Sequence, residues 1–250
     1  MTLKVPRVIG HRGACAYAPE NTLISLHTAA DMGCKWVEVD VKLSKDFVPI
    51  LMHDDTLDRT TGIQGAVKDY DFHELRDMDA GQWFGDSFIN TKIPSLEEVM
   101  ELILQRNLGI NLEIKPCPGR EHDTAEAMFD LLSQIWDDDA RDRVLITSFS
   151  YIALETAMDI APDWARGLLI DDDPDPNWAD MAKYFAAQTI HFSAETATRE
   201  FVEELMDFQS PLYAYTVNDP RTAQTFRQWG VDGFFTNTPD IIHDGLFKVN

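Results

Sequence analysis

Eight short apolar, strand-like runs recur along this chain, near residues 5–10, 36–41, 109–114, 143–148, 165–170, 188–192, 212–217 and 232–236. Amphipathic stretches with helical spacing lie between and after them, near 22–33, 95–107, 123–136, 150–160, 177–186, 198–208, 220–229 and 239–246. Eight β-then-α units make the count of an α/β (β/α)₈ TIM barrel, and 250 residues, 44% of them hydrophobic, suit one such domain. A doubly wound open sheet alternates in the same way. It is disfavoured here because ionisable residues sit at the ends of several successive strand-like runs, as they do in barrel sites.

Local signals place several boundaries. Ser95-Leu96-Glu97-Glu98 reads as a capping box, with Leu96, Val99, Met100, Ile103 and Leu104 repeating at helical spacing. Asp219-Pro220 and Thr238-Pro239 each put a polar cap before a proline at the first helical position. The second unit departs from the pattern. Its extended segment runs on through Phe47-Val48-Pro49-Ile50-Leu51-Met52-His53, and no helix is expected before about Ser95. The roughly forty residues between are too many for a plain barrel loop. They include Tyr70, Phe72, Trp83, Phe84 and Phe88, so 54–94 reads as a small insertion within a single 1–250 domain, on the side where barrels build pockets.

Four runs carry charges that are costly to bury without partners. They are Val8-Ile9-Gly10-His11-Arg12-Gly13, Trp36-Val37-Glu38-Val39-Asp40-Val41, Ile50-Leu51-Met52-His53-Asp54 and Ile110-Asn111-Leu112-Glu113-Ile114-Lys115. Side chains two apart in a strand share a face. Glu38 and Asp40 therefore point together towards the barrel axis while the valines pack against the outer helices, and Glu113 and Lys115 follow the same rule. Three carboxylates at one mouth repel; a hard divalent cation relieves this, and oxygen ligands serve both Mg²⁺ and Ca²⁺. The competing reading is a salt-bridge layer in which Lys42, Lys115 and Arg12 neutralise the acids. His11 and His53, at strand ends beside these acids, suit an acid/base pair, and Arg12 and Lys115 suit an anionic group. His191 lies within a strand-like run and is kept as a weaker pocket candidate.

The formal net charge of −22 disfavours nucleic acid and anionic membranes as partners. No apolar run is long enough to span a bilayer, and Met1-Thr2-Leu3-Lys4-Val5-Pro6-Arg7 has no signal-peptide h-region, so no stable membrane association is expected. Cys15, Cys34 and Cys117 form no CxxC, which suits a reducing, cytoplasmic location. The oligomeric state stays open. The acidic runs Asp137-Asp138-Asp139 and Asp171-Asp172-Asp173-Pro174-Asp175 read as solvated loops.

His11-Arg12-Gly13, Pro19-Glu20-Asn21-Thr22, Glu38-x-Asp40, His53-Asp54, Arg59-Thr60-Thr61 and Glu113-Ile114-Lys115 occur in this order. Together they resemble the glycerophosphodiester phosphodiesterase family, and the resemblance extends to Tyr215-Thr216-Val217-Asn218 and Gly230-Val231-Asp232-Gly233-Phe234-Phe235-Thr236-Asn237. Among its members the chain looks like the short bacterial cytoplasmic enzymes. The resemblance implies a TIM barrel with a small insertion after the second strand. It also implies metal-dependent hydrolysis of a small-molecule glycerophosphodiester, such as glycerophosphocholine or glycerophosphoethanolamine, to sn-glycerol 3-phosphate and an alcohol. On that reading His11 and His53 are the acid/base pair, Glu38, Asp40 and Glu113 hold one divalent cation, Mg²⁺ or Ca²⁺, and Arg12 and Lys115 bind the substrate phosphate. One departure stands out: Phe47 follows Asp46 where the family usually carries Asp-Gly. A phospholipase C- or D-like barrel acting on intact lipids would share the same groups; a mere binding module would be expected to have lost one of the five catalytic or metal residues. Trp83, Phe84, Phe88 and Tyr17 would suit a choline cation if they lined the pocket, the plainer reading being packing.

Overall fold

Parallel strands close into a barrel in this computed structural model, which describes residues 3–136 and 138–247. The strands are β1 (Val8–Gly10), β2 (Trp36–Leu43), β3 (Pro49–Leu51), β4 (Gly109–Ile114), β5 (Val144–Ser148), β6 (Arg166–Ile170), β7 (Thr189–Ser193), β8 (Leu212–Tyr215) and β9 (Gly233–Thr236). Their order is β1-β9-β8-β7-β6-β5-β4-β2, and β1 pairs back onto β2, with Gly10 opposite Val37, to complete the ring. β3 alone is antiparallel, pairing with the end of β2. The barrel strands thus number eight, as the (β/α)₈ reading expects.

The helices are α1 (Leu23–Asp31), α2 (Asp58–Thr61), α3 (Phe72–Asp77), α4 (Leu96–Arg106), α5 (Glu121–Ile135), α6 (Tyr151–Ile160), α7 (Trp178–Tyr184), α8 (Arg199–Met206), α9 (Pro220–Trp229) and α10 (Pro239–Phe247). The Ser95 capping box opens α4, and Asp219 caps α9 with Pro220 in its first turn. Alternation along the strands sorts side chains as the period of two requires. Val37, Val39 and Val41 of β2 and Leu112 and Ile114 of β4 pack outward against Leu26, Val99, Ile103 and Met128. The register sets Glu38 opposite Asn111 and Asp40 opposite Glu113. An apolar cluster of Ile9, Trp36, Leu145, Tyr213 and Phe235 lies inside the barrel. Gly109 makes room for it: a Cβ there would sit 2.2 Å from Trp36 Cε2.

Two expectations need correction. The chain does not simply extend beyond β2; it turns back at 44–48, where Val48 N–H donates to Ser44 Oγ at 2.9 Å and Ser44 Oγ donates to Asp46 at 2.6 Å. Phe47 occupies the left-handed region (φ 63°) that glycine would fill more cheaply, and its ring lies 4.9 Å from the Arg120 guanidinium. Nor is Ser95 the next helix start. α2 and α3 come first, and at four and six residues they are too short to show a helical period. α3 has its own capping box from Asp71 and Glu74, and Arg76 pairs with Glu98 of α4. Beneath this segment Ile50, Met52, Leu57, Val67, Leu75, Met78 and Ile93 form a small separate core. No helix among the described residues is long and apolar enough to cross a membrane.

Candidate functional site

The C-terminal ends of β1, β2, β3 and β4 meet at one mouth. His11 directly follows β1, and its backbone N–H donates to Thr236 O of β9 at 2.9 Å. The chain then kinks: Arg12 has φ 50° and Gly13 φ 85°. A Cβ at Gly13 would lie 2.5 Å from Ser25 Oγ, so only glycine lets the loop pass this close to α1. The kink turns the Arg12 backbone N–H onto Glu38 Oε2 at 2.9 Å. Asn21, itself left-handed at φ 54°, donates from Nδ2 to Asp40 Oδ2 at 2.7 Å and accepts the Asp40 backbone N–H on Oδ1.

Glu38, Asp40 and Glu113 are all buried, and one oxygen from each lies within 4.8 Å of the others. Lys115 Nζ stands 3.3 Å from Asp40 Oδ1 and 3.1 Å from Glu113 Oε1, and Arg12 Nε 3.3 Å from Asp40 Oδ2. Lys42, which a salt-bridge layer would need, turns away to Asp55 (2.6 Å) and the Lys115 carbonyl (2.9 Å). Three carboxylates therefore face two cations. Burial, then Asp40 and Glu113, push the Glu38 carboxyl well above its ordinary range; among the described residues Glu38 Oε1 has no hydrogen-bond partner. Burial and Asp40 push Glu113 up to about 7. Burial also opposes ionisation of Asp40, but Lys115 and Arg12 outweigh it and hold that carboxyl low.

Both histidines are tied by Nδ1. His11 Nδ1 lies 2.7 Å from Asn237 Oδ1, an acceptor, so the proton sits on Nδ1 and Nε2 is free, 3.9 Å from Glu38 Oε2. Burial and Arg12 lower its pKa to about 4. His53 Nδ1 lies 2.6 Å from Asp54 Oδ1. Burial lowers the His53 pKa too, against the pull of Asp40 and Asp54. Arg59, the second residue of α2, bridges Asp54 and Glu20, and Glu20 in turn accepts from Arg12 Nη1 at 2.8 Å.

His11, Arg12, Glu38, His53, Glu113 and Lys115 line one pocket, and Asp40 completes the carboxylate cluster at its wall. The opposite wall is Phe149, Leu169, Tyr215, Thr216 and Phe235. His191 also lines this pocket, fully buried, with Nε2 2.9 Å from Thr189 Oγ1 and its ring against Tyr213 and Phe235. The aromatic residues of 54–94 do not line it. Trp83, Phe84 and Phe88 pack edge to face on one another, and Tyr17 donates to Asp240 of α10 at 2.7 Å. The Asp171–Asp175 run is a surface loop in which Asp172 accepts from Thr196; of the Asp137–Asp139 run, Asp137 lies outside the described residues.

Sequence reasoning assigned no role to Glu20, Asn21, Asp54, Arg59 or Asn237. Four carried a readable signal: Glu20 and Asn21 immediately precede the α1 cap, Asp54 adjoins a strand-end histidine, and Asn237 follows the last barrel strand; Arg59, inside the short α2, carried none of this kind. Residues at those strand ends are the ones a barrel aims at its mouth.

The model of the glycerophosphoryl diester phosphodiesterase family matches residues 11–241. The chain belongs to this family. A glycerophosphodiester phosphodiesterase of Caldanaerobacter subterraneus subsp. tengcongensis is 34% identical over 239 residues, spanning 94% of this chain and 95% of that one. A glycerophosphodiester phosphodiesterase of Bacillus subtilis is 30% identical over 251 residues, spanning 94% and 84%. Among solved structures, an Oleispira antarctica phosphodiesterase in complex with the product sn-glycerol-3-phosphate superposes with a TM-score of 0.91 at 37% identity, covering 97% of each chain. The protein is an enzyme, a phosphodiester hydrolase of the glycerophosphodiester phosphodiesterase family.

Proposed function

We propose that this glycerophosphodiester phosphodiesterase holds one divalent cation, Mg²⁺ or Ca²⁺, between Glu38, Asp40 and Glu113, and that His11 and His53 move the protons of the reaction. The observation that carries the reading is the meeting, at one pocket, of two Nδ1-tied histidines with three buried carboxylates that outnumber their cations. The donor set fits a hard cation: it is all oxygen, and Glu38 Oε1 is buried without a hydrogen-bond partner among the described residues. When bound, such an ion withdraws charge from a phosphoryl oxygen.

The chain's own groups supply the rest. Arg12 and Lys115 hold phosphate oxygens by charge-assisted hydrogen bonds. His11, backed by the neutral Asn237 amide, takes the proton of the attacking oxygen on Nε2. His53, backed by the Asp54 carboxylate that steadies an imidazolium, gives a proton from Nε2 to the departing alkoxide. The substrates are small glycerophosphodiesters such as glycerophosphocholine and glycerophosphoethanolamine, cleaved in the cytoplasm to sn-glycerol 3-phosphate and an alcohol. Residues 1–250 act as one barrel domain, with 54–94 as an insertion at its mouth.

The test is release of glycerol 3-phosphate from both diesters, with Mg²⁺ or Ca²⁺ and with chelator. Cation-dependent release supports the reading, and a transient cyclic glycerophosphate would mark attack by the substrate's 2-hydroxyl rather than by water. No release from folded protein with either ion rejects it and turns attention to intact lipids.

A further inference from the structure

We infer that Arg59 is a positioning residue of this reaction: one guanidinium from the 54–94 segment fixes His53 through Asp54 and Arg12 through Glu20. The inference rests on the roles just given to His53 and Arg12. All three nitrogens of Arg59 are engaged. Nε donates to Asp54 Oδ2 at 2.6 Å and Nη2 to Asp54 Oδ1 at 3.1 Å, while Nη1 and Nη2 donate to Glu20 Oε2 at 2.8 Å and Oε1 at 2.7 Å. Beyond these, Asp54 Oδ1 accepts from His53 Nδ1 and Glu20 Oε1 from Arg12 Nη1. The result is one continuous chain, Arg12–Glu20–Arg59–Asp54–His53, linking the loop after β1 to the end of β3.

Arg59 does not line the pocket and is 40% exposed at its side chain, so it acts through its two acids and not on substrate. Its two hydrogen bonds to Asp54 fix the orientation of that carboxylate, which is ionised at neutral pH and whose pKa Arg59 draws lower still. An ionised Asp54 accepts only, so His53 must keep its proton on Nδ1 and turn Nε2 to the pocket. Without Arg59 the part-exposed carboxylate is free to rotate to water, and both the tautomer and the ring orientation of His53 come loose. Lysine offers a single ammonium and cannot fork onto two carboxylates. The Trp83 ring centre lies 6.0 Å from Arg59 Cζ, at the edge of cation–π range.

A plain tether between 54–94 and the barrel would look the same in outline, so the test must separate the two. Arg59→Gln, Arg59→Lys, Asp54→Asn and the Arg59→Gln/Asp54→Asn double variant are compared for kcat, KM and melting temperature on a diester that the natural enzyme cleaves. The His53 tautomer is read by ¹⁵N NMR of histidine-labelled protein, assigned with His53→Gln. Arg59→Gln should lower kcat ~10–100-fold, the range for loss of a group that orients a reacting one. It should raise KM through Arg12 and mix the His53 tautomers, with Arg59→Lys recovering part of the loss. On the Asp54→Asn background the same change should cost kcat little, because the link is already cut. A lower melting temperature with unchanged kcat, KM and tautomer would leave only a tether and overturn the inference; so would full additivity in the double variant. If the natural enzyme cleaves no diester, the functional reading fails, while the tautomer comparison still decides whether Arg59 fixes His53.

Discussion

Replacing Glu113 by glutamine should stabilise the cation-free protein, although it removes a proposed ligand. Burial and Asp40 raise the Glu113 pKa from 4.5 to about 7. A raised carboxyl pKa means that the folded state binds the proton more tightly than the unfolded chain. The natural protein therefore has this residue's full contribution below 4.5 and loses it as pH rises through about 7. At about 1.4 kcal/mol per pKa unit, the ionised form costs roughly 3 kcal/mol well above neutrality. Glutamine copies the neutral carboxyl in shape and cannot ionise, and Lys115 keeps Asp40 at 3.3 Å. Urea unfolding in chelator should show almost no gain for Glu113→Gln at about pH 4 and a gain approaching ~3 kcal/mol at about pH 9. Added Mg²⁺ or Ca²⁺ should close that gap and, at ~1,000 times Kd, reverse the order: a ligand then adds about 4.1 kcal/mol to the protein that binds it, and the variant should receive less. A variant less stable than the natural protein in chelator at high pH, or one stabilised equally by the ion, would refute a buried charge surplus built to take a cation.

His11→Ala and His53→Ala should each lower kcat/KM ~10²–10⁴-fold with melting temperature little changed; full activity in either removes that histidine from the proton-transfer pair. His191 is held neutral by burial down to about pH 3 against 6.5 in the open chain, so acidification below 6.5 protonates only the unfolded state. The natural protein should lose about 1.4 kcal/mol per pH unit from this residue, and His191→Phe, which keeps the ring stack, should flatten the stability profile between neutral and mildly acidic pH; an unchanged slope contradicts it. Gly109→Ala should cost ~1–3 kcal/mol in urea unfolding, because the new Cβ meets Trp36 at 2.2 Å inside the barrel.

Much of the barrel could be read from the sequence because its strands obey a strict period. β4 spans the expected 109–114, and the Val-Glu-Val-Asp-Val alternation of β2 sorts valines outward and acids inward as two-residue periodicity demands. What escaped is the stretch where no period can form. A four-residue helix and a six-residue helix give no amphipathic repeat. The turn after β2 was marked only by the family resemblance and not by its own residues: its left-handed position carries Phe47, a residue type that does not advertise that conformation.

The site divides in the same way. Groups aimed by their own strand, such as Glu38, Asp40 and Glu113, or placed at its end, such as His11, His53 and Lys115, could be located because strand geometry alone orients them. Their partners come from separate loops: Asn237 lies 226 residues from His11, and Glu20 lies 39 from Arg59. No local pattern encodes such a meeting; only closure of the ring brings β1 beside β9, and only the packing of 54–94 brings Arg59 over Asp54. The groups proposed to react are thus set by short-range periodicity, while those that fix their tautomers and rotamers depend on long-range closure. Loosening the 54–94 segment should therefore damage turnover before it damages the carboxylate cluster.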